Sequence, residues 1–557
     1  MEYQFDRFLR FDELSQWLHD TAAAHPGLMT VDSYGTSHEG RPLWLATITD
    51  SATGAPHTKP AHWVDANIHA IEVTGGVAAL FLIHHLVEGF GTDAQVTEAV
   101  RTRTFYIAPR VNPDGVEWVL ADTPRFRRSS VRPWPWRDAH RAPGLHEADI
   151  DGDGRILSMR VVDPNGGWMP SPTEPRLMVR VPVDGAPSGT VRYRLLAEGE
   201  IVDHDGFTVP VAAPPERLDL NRNFPAGWGT SVPGSGDHPL SEPEIDSLVR
   251  AIVARPNICG YNAFHTSGGV LLRPSSTQPD SALPPVDVWA WKQLGERGTA
   301  LTGYAVHSVF EDFTFDRSET MSGAADDWVY EHLGVYGWTT EFWDVVHRAT
   351  GTKAGTHIWY TGPTAEEELG VYRWAVEHHP EAYADWKPFD HPQLGPVEIG
   401  GWDGVFFWAN APSSRLADEV RPHADFAVVQ ALASPRLEIL HHEVVALGGD
   451  LHRVEVGLAN TGWLPTPISA RAAKQHLVLP IVAELTGAEV IGGSFGGLAR
   501  QEVGQLAGRL DQHFSPWNDG TPDRVLVHWV VRGPATEAVH VTATHQRAGT
   551  AQVSLTL

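Results

Sequence analysis

Apolar runs typical of β-strands alternate with helix-like segments over roughly the first 390 residues of this chain, and this alternation constrains its fold more than any other feature. One strand-like run leads to His69, and the others are residues 104–108, 258–264 and 336–340. The helix-like segments are residues 11–25, 73–89, 241–254, 286–302 and 324–332. Ser241 to Glu244 resembles a capping box with proline just inside the helix. Alternation of this kind predicts an α/β sheet covered by helices on both faces.

Two regions depart from this alternation. Residues 129–216 are rich in Pro, Gly, Trp and charge, and so long an irregular segment inside a domain is usually functional. Beyond about residue 435, alternating strands and turns are typical of a β-sandwich. Because 557 residues exceed the usual size of one domain, we predict three parts. They are a first domain at 1–395 with an insertion at about 129–216, a linker and helix at 396–434, and a β-sandwich at 435–557.

Charge and cysteine content exclude several classes of protein. The formal net charge of -27 disfavours nucleic acid and anionic membrane surfaces and would attract cationic substrates. No apolar run is long enough to predict a membrane span. Cys259 is the single cysteine, so neither an internal disulfide nor a thiolate metal cluster can form. The first residues show no basic stretch followed by an apolar one, so we expect a cytoplasmic protein.

Acidic and imidazole side chains stand at the ends of three predicted strands. His69 and Glu72 follow the first, His265 follows the second and Glu341 follows the third. Ligands of open α/β sheets bind beyond the carboxyl ends of strands. Imidazole and carboxylate are also ligands of catalytic zinc, which keeps three protein ligands and a water. Taken alone, the first pair is better explained as a strand-end histidine and a helix-capping glutamate.

Taken in order, a set of short motifs resembles the zinc carboxypeptidase family, of the carboxypeptidase A and B type, over roughly residues 10–385. The motifs are YGTSHEGR at 34–41, HAIE at 69–72, NPDG at 112–115, DLNRN at 219–223, and the strand-end His265 and Glu341. The resemblance implies a mixed central sheet flanked by helices. It also implies that His69, Glu72 and His265 hold zinc (Zn2+).

The same resemblance implies roles for the other polar residues. Glu341 would be the general base that takes a proton from water and passes it to the leaving amine. Arg127 would stabilise the developing oxyanion. Asn221 and Arg222 would bind the free α-carboxylate of the substrate, which a planar guanidinium matches with two hydrogen bonds.

The sequence departs from the family at two positions and is ambiguous at a third. Glu319 stands where the family has a tyrosine that covers the substrate, and Ile71 stands where it has an arginine inside the HxxE motif. Asp326 occupies the position that resembles the specificity residue of carboxypeptidase B-like enzymes, where an acid favours a C-terminal Lys or Arg. The alternative for Asp326 is a surface or helix-capping residue.

A second metal site is a hypothesis for the insertion. Asp149, Asp151 and Asp153 form a DxDxDG arrangement that resembles the start of a calcium loop. The twelfth position is Arg160, so the bidentate glutamate of an EF-hand is missing. The alternatives are a calcium (Ca2+) site and an acidic turn.

Three functions remain open from the sequence. The first is a zinc-dependent exopeptidase that removes one C-terminal residue from peptides. The second is an amidohydrolase of the same fold that acts on γ-D-glutamyl cell-wall peptides or N-acyl amino acids, which are small amides bearing a carboxylate. The third is an inactive module that binds peptide ends, against which the intact Glu341 argues because a binder needs no base.

Overall fold

The structure, a computed structural model, describes residues 3–135, 141–314, 321–352, 361–496, 498–515 and 520–557. A mixed eight-stranded sheet forms its centre. The strands, in their order across the sheet, are Met29–Thr36, Pro42–Ile48, Thr104–Ala108, Ala61–Ala66, Ile258–Thr266, Tyr336–Phe342, Val270–Arg273 and Ala305–Ser308. Ala61–Ala66, Ile258–Thr266 and Tyr336–Phe342 are adjacent and parallel, so their carboxyl ends lie side by side. The predicted α/β sheet is confirmed.

Helices cover both faces of this sheet, as predicted. On one face, Val73–Gly89 is apolar almost all round and lies buried between the sheet and Leu416–Leu432. On the other face, Pro243–Val253 and Ala325–Leu333 pack on the sheet through aliphatic side chains and Trp328. The remaining α-helices described are Phe11–Ala24, Ala94–Thr102, Pro113–Val119, Pro285–Thr302, Val345–Thr350, Ala365–His378, Ala470–Lys474 and Arg509–Phe514.

Proline lies just inside the helix as predicted, but the capping box expected at Ser241 to Glu244 is absent. The helix begins at Pro243, with Glu242 as the N-cap residue and no side-chain cap bond. Ser241 Oγ instead donates to Glu242 Oε1 at 2.7 Å. Arg132 also binds the Glu242 carboxylate, which is therefore committed to a buried ion pair.

The insertion folds with a later part of the chain. Antiparallel strands form a six-stranded sheet in the order Tyr383–His391, Gly395–Trp402, Ser158–Val162, Tyr193–Ala197, Trp168–Pro170 and Met178–Arg180. A smaller antiparallel pair is Gly144–Glu147 with Gly199–Val202. Ile399 lies opposite Met159, so the predicted boundary at residue 395 falls at the start of a strand that pairs with the insertion. The predicted linker at 396–434 therefore begins as part of a sheet.

The C-terminal part is built of two antiparallel four-stranded sheets. One has the order Leu437–Gly448, Leu451–Asn460, Arg524–Arg532 and Glu489–Gly493. The other has the order Arg500–Gly504, Ile481–Thr486, Ala538–His545 and Gly549–Thr556. Val456 and Trp529 of the first sheet share a buried cluster with Ala483 and Val541 of the second. This confirms the predicted additional β-domain.

Buried polar contacts fasten the β-domain to the first domain. The guanidinium of Arg547 is buried and donates to the carbonyl oxygen of Leu333 at 2.5 Å. Asp287, at the start of Pro285–Thr302, accepts from the backbone N–H groups of Ala470 and Arg471 at 2.8 and 3.2 Å. Since unpaired buried polar groups are costly, these contacts hold the two parts together.

Among the described residues no single helix has the length and apolar character needed to cross a membrane; Val73–Gly89 and Ala94–Thr102 meet those criteria only as a pair bent by 98°.

Candidate active site

The adjacent strand ends bring His69, Glu72 and His265 into direct contact. His69 Nδ1 lies 2.8 Å from Glu72 Oε1, and His265 Nδ1 lies 2.9 Å from Glu72 Oε2. The two Nδ1 atoms are 3.1 Å apart. All three side chains are buried.

This donor set fits zinc. Ligand atoms about 2.0–2.1 Å from a tetrahedral metal are separated by roughly 3.3 Å, close to the three distances between these atoms. Two imidazole nitrogens that lie 3.1 Å apart and a carboxylate that faces both are the ligand types that zinc takes. Burial alone would raise the pKa of Glu72, but His69 and His265 reverse this and hold it well below its usual range. The carboxylate is therefore ionised, as a metal ligand requires.

The turn before the helix fixes the direction of Glu72. Asn67 adopts a φ of 55°, which asparagine tolerates better than most residues, and its Nδ2 donates to the carbonyl of Glu72 at 2.6 Å. Gly75 lies so close to the strand of His265 that a Cβ would sit 2.6 Å from the carbonyl oxygen of Phe264. Glu72 is the N-cap residue of Val73–Gly89, but its side chain makes no cap hydrogen bond. Its carboxylate points to the histidines, which removes the helix-capping alternative.

Asp219 orients His69 by binding the ring nitrogen that does not face Glu72. Its Oδ1 lies 3.1 Å from His69 Nε2, leaving Nδ1 for the metal. Its Oδ2 accepts from Arg128 Nε at 3.0 Å. Burial would raise the pKa of Asp219, but the cations around it lower it far below its usual value. The sequence predicts no role for Asp219, the first residue of DLNRN, because a contact across 150 positions leaves no local signal.

The structure brings Arg128, not Arg127, to the pocket. Arg127 turns away, and its Nε donates to Glu216 Oε2 at 2.7 Å. Arg128 reaches Asp219, and its Nη1 lies 3.7 Å from Glu72 Oε1. Arg128 lines the same pocket as the histidines and Glu341. The structure therefore places Arg128, and not Arg127, beside the candidate ligands, because Arg127 pairs with Glu216 and Arg128 with Asp219.

Glu341 lies beside the histidines but does not belong to the group of His69, Glu72 and His265. It pairs in register with His265 on the neighbouring strand and lines the pocket. Its Oε2 is buried with no hydrogen-bond partner among the described residues. Burial, followed by the nearby Glu72 carboxylate, raises the pKa of Glu341 to about 8. A carboxylate this poorly solvated is a stronger base than one in water.

The expected substrate-binding residues line the same pocket. Asn221 Oδ1 accepts from the N–H of Ala325 at 2.9 Å, and Arg222 lies beside it. Gly323 has a φ of 78° and packs against the carbonyl of Arg222, where a Cβ would come within 2.4 Å. This close approach joins the DLNRN segment to the loop that leads to the helix of Asp326.

Asp326 is a buried residue of the pocket and not a surface residue. It accepts from the N–H of Asp327 at 3.0 Å and from Thr339 Oγ1 at 3.3 Å. It makes no ion pair among the described residues, and burial raises its pKa. The adjoining walls are apolar and consist of Leu272, Val309, Phe313 and Met321. Glu319, the residue in place of the family's tyrosine, lies outside the described residues.

The calcium hypothesis stays a prediction. Asp149, Asp151 and Asp153 could each offer an oxygen to one ion. However, both carboxylate oxygens of Asp149 accept backbone N–H groups, from Gly152 and Gly154. Asp153 also pairs with Arg155 at 2.8 Å. An acidic turn held by its own backbone accounts for these contacts without an ion.

Comparison with known proteins agrees with this geometry. The zinc carboxypeptidase family (peptidase M14) matches residues 14–151 and 205–352, just over half of the chain. The chain belongs to this family. The unmatched segment between the two ranges lies within the insertion. Residues 436–556 match a family described as a domain of unknown function (DUF8731).

Individual relatives align over shorter stretches. Carboxypeptidase A2 of Rattus norvegicus is 28% identical over 166 residues, which are 30% of this chain and 34% of the relative. Carboxypeptidase B2 of Homo sapiens is 29% identical over 125 residues, or 22% of this chain and 29% of the relative. The chain thus spans about a third of the length of these relatives. The solved structure of carboxypeptidase A from Helicoverpa armigera is 18% identical with a TM-score of 0.38, covering 68% of this chain and 76% of that one.

Proposed function

We propose that this protein is a zinc-dependent metallocarboxypeptidase that hydrolyses the C-terminal peptide bond of peptides and prefers basic C-terminal residues. The observation that carries the proposal is the convergence of the buried His69–Glu72–His265 group with Glu341 at the next strand end. A catalytic zinc site needs three protein ligands and a base that is not a ligand.

Each residue of the pocket has a task in such a reaction. Zinc, when bound, supplies a water molecule whose pKa is lowered towards neutrality. Glu341 would take a proton from the attacking water on its buried carboxylate and deliver it to the nitrogen of the leaving amino acid. The guanidinium of Arg128 faces the negative charge that develops on the carbonyl oxygen of the scissile bond. Asp219 keeps His69 in the tautomer whose Nδ1 lone pair faces the metal.

Asn221 and Arg222 support a substrate with a free carboxylate. An Arg fork forms two parallel hydrogen bonds with a carboxylate, and the neighbouring amide adds a donor. Binding the chain end in this way places the last peptide bond, and no other, near Glu341. This selection is what distinguishes an exopeptidase from an endopeptidase.

Asp326 and the apolar walls around it favour a basic side chain. The long alkyl stem of Lys or Arg buries well along aliphatic and aromatic surface while its charged end seeks a carboxylate. The buried carboxylate of Asp326 offers that partner. The strongly acidic chain would also attract a cationic substrate from solution.

Digestion of a peptide library with varied C-termini, read by mass spectrometry, tests the proposal. We expect loss of single C-terminal residues, fastest for Lys and Arg, and no loss after a chelator has removed the metal. The library should also contain γ-D-glutamyl peptides and N-acyl amino acids. Cleavage of those compounds alone would replace the proposal with the amidohydrolase alternative.

Replacing Asp326 with isoleucine is expected to reverse the preference. The variant should lose about 10- to 100-fold in kcat/KM for substrates ending in Lys or Arg and gain activity on apolar C-termini, because a buried charge loses its partner. The matched control is Asp326→Asn, which keeps the shape of the side chain and removes the charge. It should lose the basic preference without gaining the apolar one. An unchanged ratio of kcat/KM values in both variants would remove Asp326 from the specificity pocket.

A further inference from the structure

A polar cluster with two buried members and one half-exposed arginine lies next to the strand end that carries Glu341. It is formed by Tyr304, Arg348 and Glu419, and Glu419 belongs to Leu416–Leu432. That helix lies outside the residues that match the zinc carboxypeptidase family. Nothing in the proposed reaction uses this cluster.

Two members of the cluster, Tyr304 and Glu419, contact the backbone of Trp343, two residues after Glu341. Trp343 has a φ of 70°, a conformation that bulky residues rarely adopt and that surrounding contacts must hold. Its indole Nε1 donates to the carbonyl of Phe407 at 2.7 Å, and its own carbonyl accepts from the N–H of Gly268 at 3.0 Å. The ring is fully buried. The chain after Glu341 is therefore fixed in a single unusual turn.

Glu419 holds the backbone of that turn. Its Oε1 accepts from the N–H of Trp343 at 3.1 Å and is also hydrogen-bonded by the hydroxyl of Tyr304. The same hydroxyl lies 2.9 Å from the Trp343 N–H. Arg348 Nη2 donates to Glu419 Oε2 at 2.5 Å and balances its charge. The side chain of Glu419 is 1% exposed, so water cannot take over these contacts.

We propose that Glu419 is a positioning residue for Glu341. By fixing the Trp343 turn, it sets the direction in which the strand end presents the Glu341 carboxylate to the metal-binding histidines. Proton transfer requires hydrogen-bond reach between the base and its water, and a displacement of about 1 Å can lower the rate about 10²-fold. The helix Leu416–Leu432, which the sequence predicts as part of a linker, thereby helps to position the general base. This inference rests on the proposed function, in which Glu341 is the base.

Steady-state kinetics of Glu419 variants on a peptide ending in Lys test the inference. Glu419→Ala should lower kcat about 10-fold or more, change KM less than about 3-fold and keep bound zinc at the wild-type ratio. Glu419→Gln retains an oxygen for the Trp343 N–H and should restore most of kcat. Tyr304→Phe removes one hydroxyl from the same turn and gives an intermediate kcat. If Glu419→Ala does not fold, the kcat of Tyr304→Phe tests the inference in its place.

The matched control is Asp287→Ala. Asp287 is a buried carboxylate that also accepts backbone N–H groups and tyrosine hydroxyls, but at the contact with the β-domain. This variant should lower the melting temperature and leave kcat unchanged. Wild-type kcat in folded, zinc-loaded Glu419→Ala or Tyr304→Phe would overturn the inference, as would a fall in kcat that follows zinc loss alone. A wild-type protein that cleaves no peptide would refute the proposed function instead.

Discussion

Glu341→Gln is expected to abolish measurable turnover, a loss of about 10²- to 10⁴-fold in kcat, while zinc remains bound. The amide has nearly the same shape as the carboxylate, but it cannot accept a proton from water. Because Glu341 is not one of the three grouped ligand residues, its replacement leaves the His69–Glu72–His265 group intact. Turnover of a peptide ending in Lys and metal content by atomic spectroscopy check the two halves of the prediction.

The matched control for this variant is Glu72→Gln. It places the same substitution on a carboxylate that lies between the two histidines, so it should lose zinc together with activity. The comparison separates a defect in proton transfer from a defect in metal binding. Full activity of Glu341→Gln would refute the proposed mechanism.

Arg128→Ala is expected to lower kcat/KM by about 10²- to 10³-fold, whereas Arg127→Ala should change it by less than about 3-fold. The first variant removes a cation from the pocket, and the second removes a partner of Glu216 outside it. Hydrolysis rates of the same peptide and zinc content should be measured for both. Since Arg128 also touches Asp219 and approaches Glu72, a loss that followed the metal would show a structural role. A larger defect in Arg127→Ala would restore the assignment made from the sequence.

Much of the fold could be predicted because its signals are local. The central strands and Val73–Gly89 are largely apolar segments, and the structure places them where the pattern predicts. The pairing of Gly395–Trp402 with Ser158–Val162 could not be predicted. Gly395–Trp402 contains three glycines and a proline, and Ser158–Val162 has only five residues. Register between segments so far apart also depends on the completed fold.

The candidate site divides in the same way. His69, Glu72, His265 and Glu341 could be named because each follows a recognisable strand, and the ends of parallel strands meet. The choice between Arg127 and Arg128 depends on which way two adjacent side chains turn, and distant carboxylates decide that. The role of Glu419 could not be predicted for a similar reason, because the sequence of a helix does not show which distant turn its side chains contact.

The contact between the two parts of the chain has a consequence for protein engineering. Without residues after 434, the carboxylate of Asp287 would lose its hydrogen bonds from the N–H groups of Ala470 and Arg471. A hydrogen bond to a charged group contributes about 1.5–3 kcal/mol. The carbonyl of Leu333 would lose Arg547 as well. A chimera that exchanges the β-sandwich must therefore supply two backbone N–H groups opposite Asp287 and a side-chain donor for the carbonyl of Leu333.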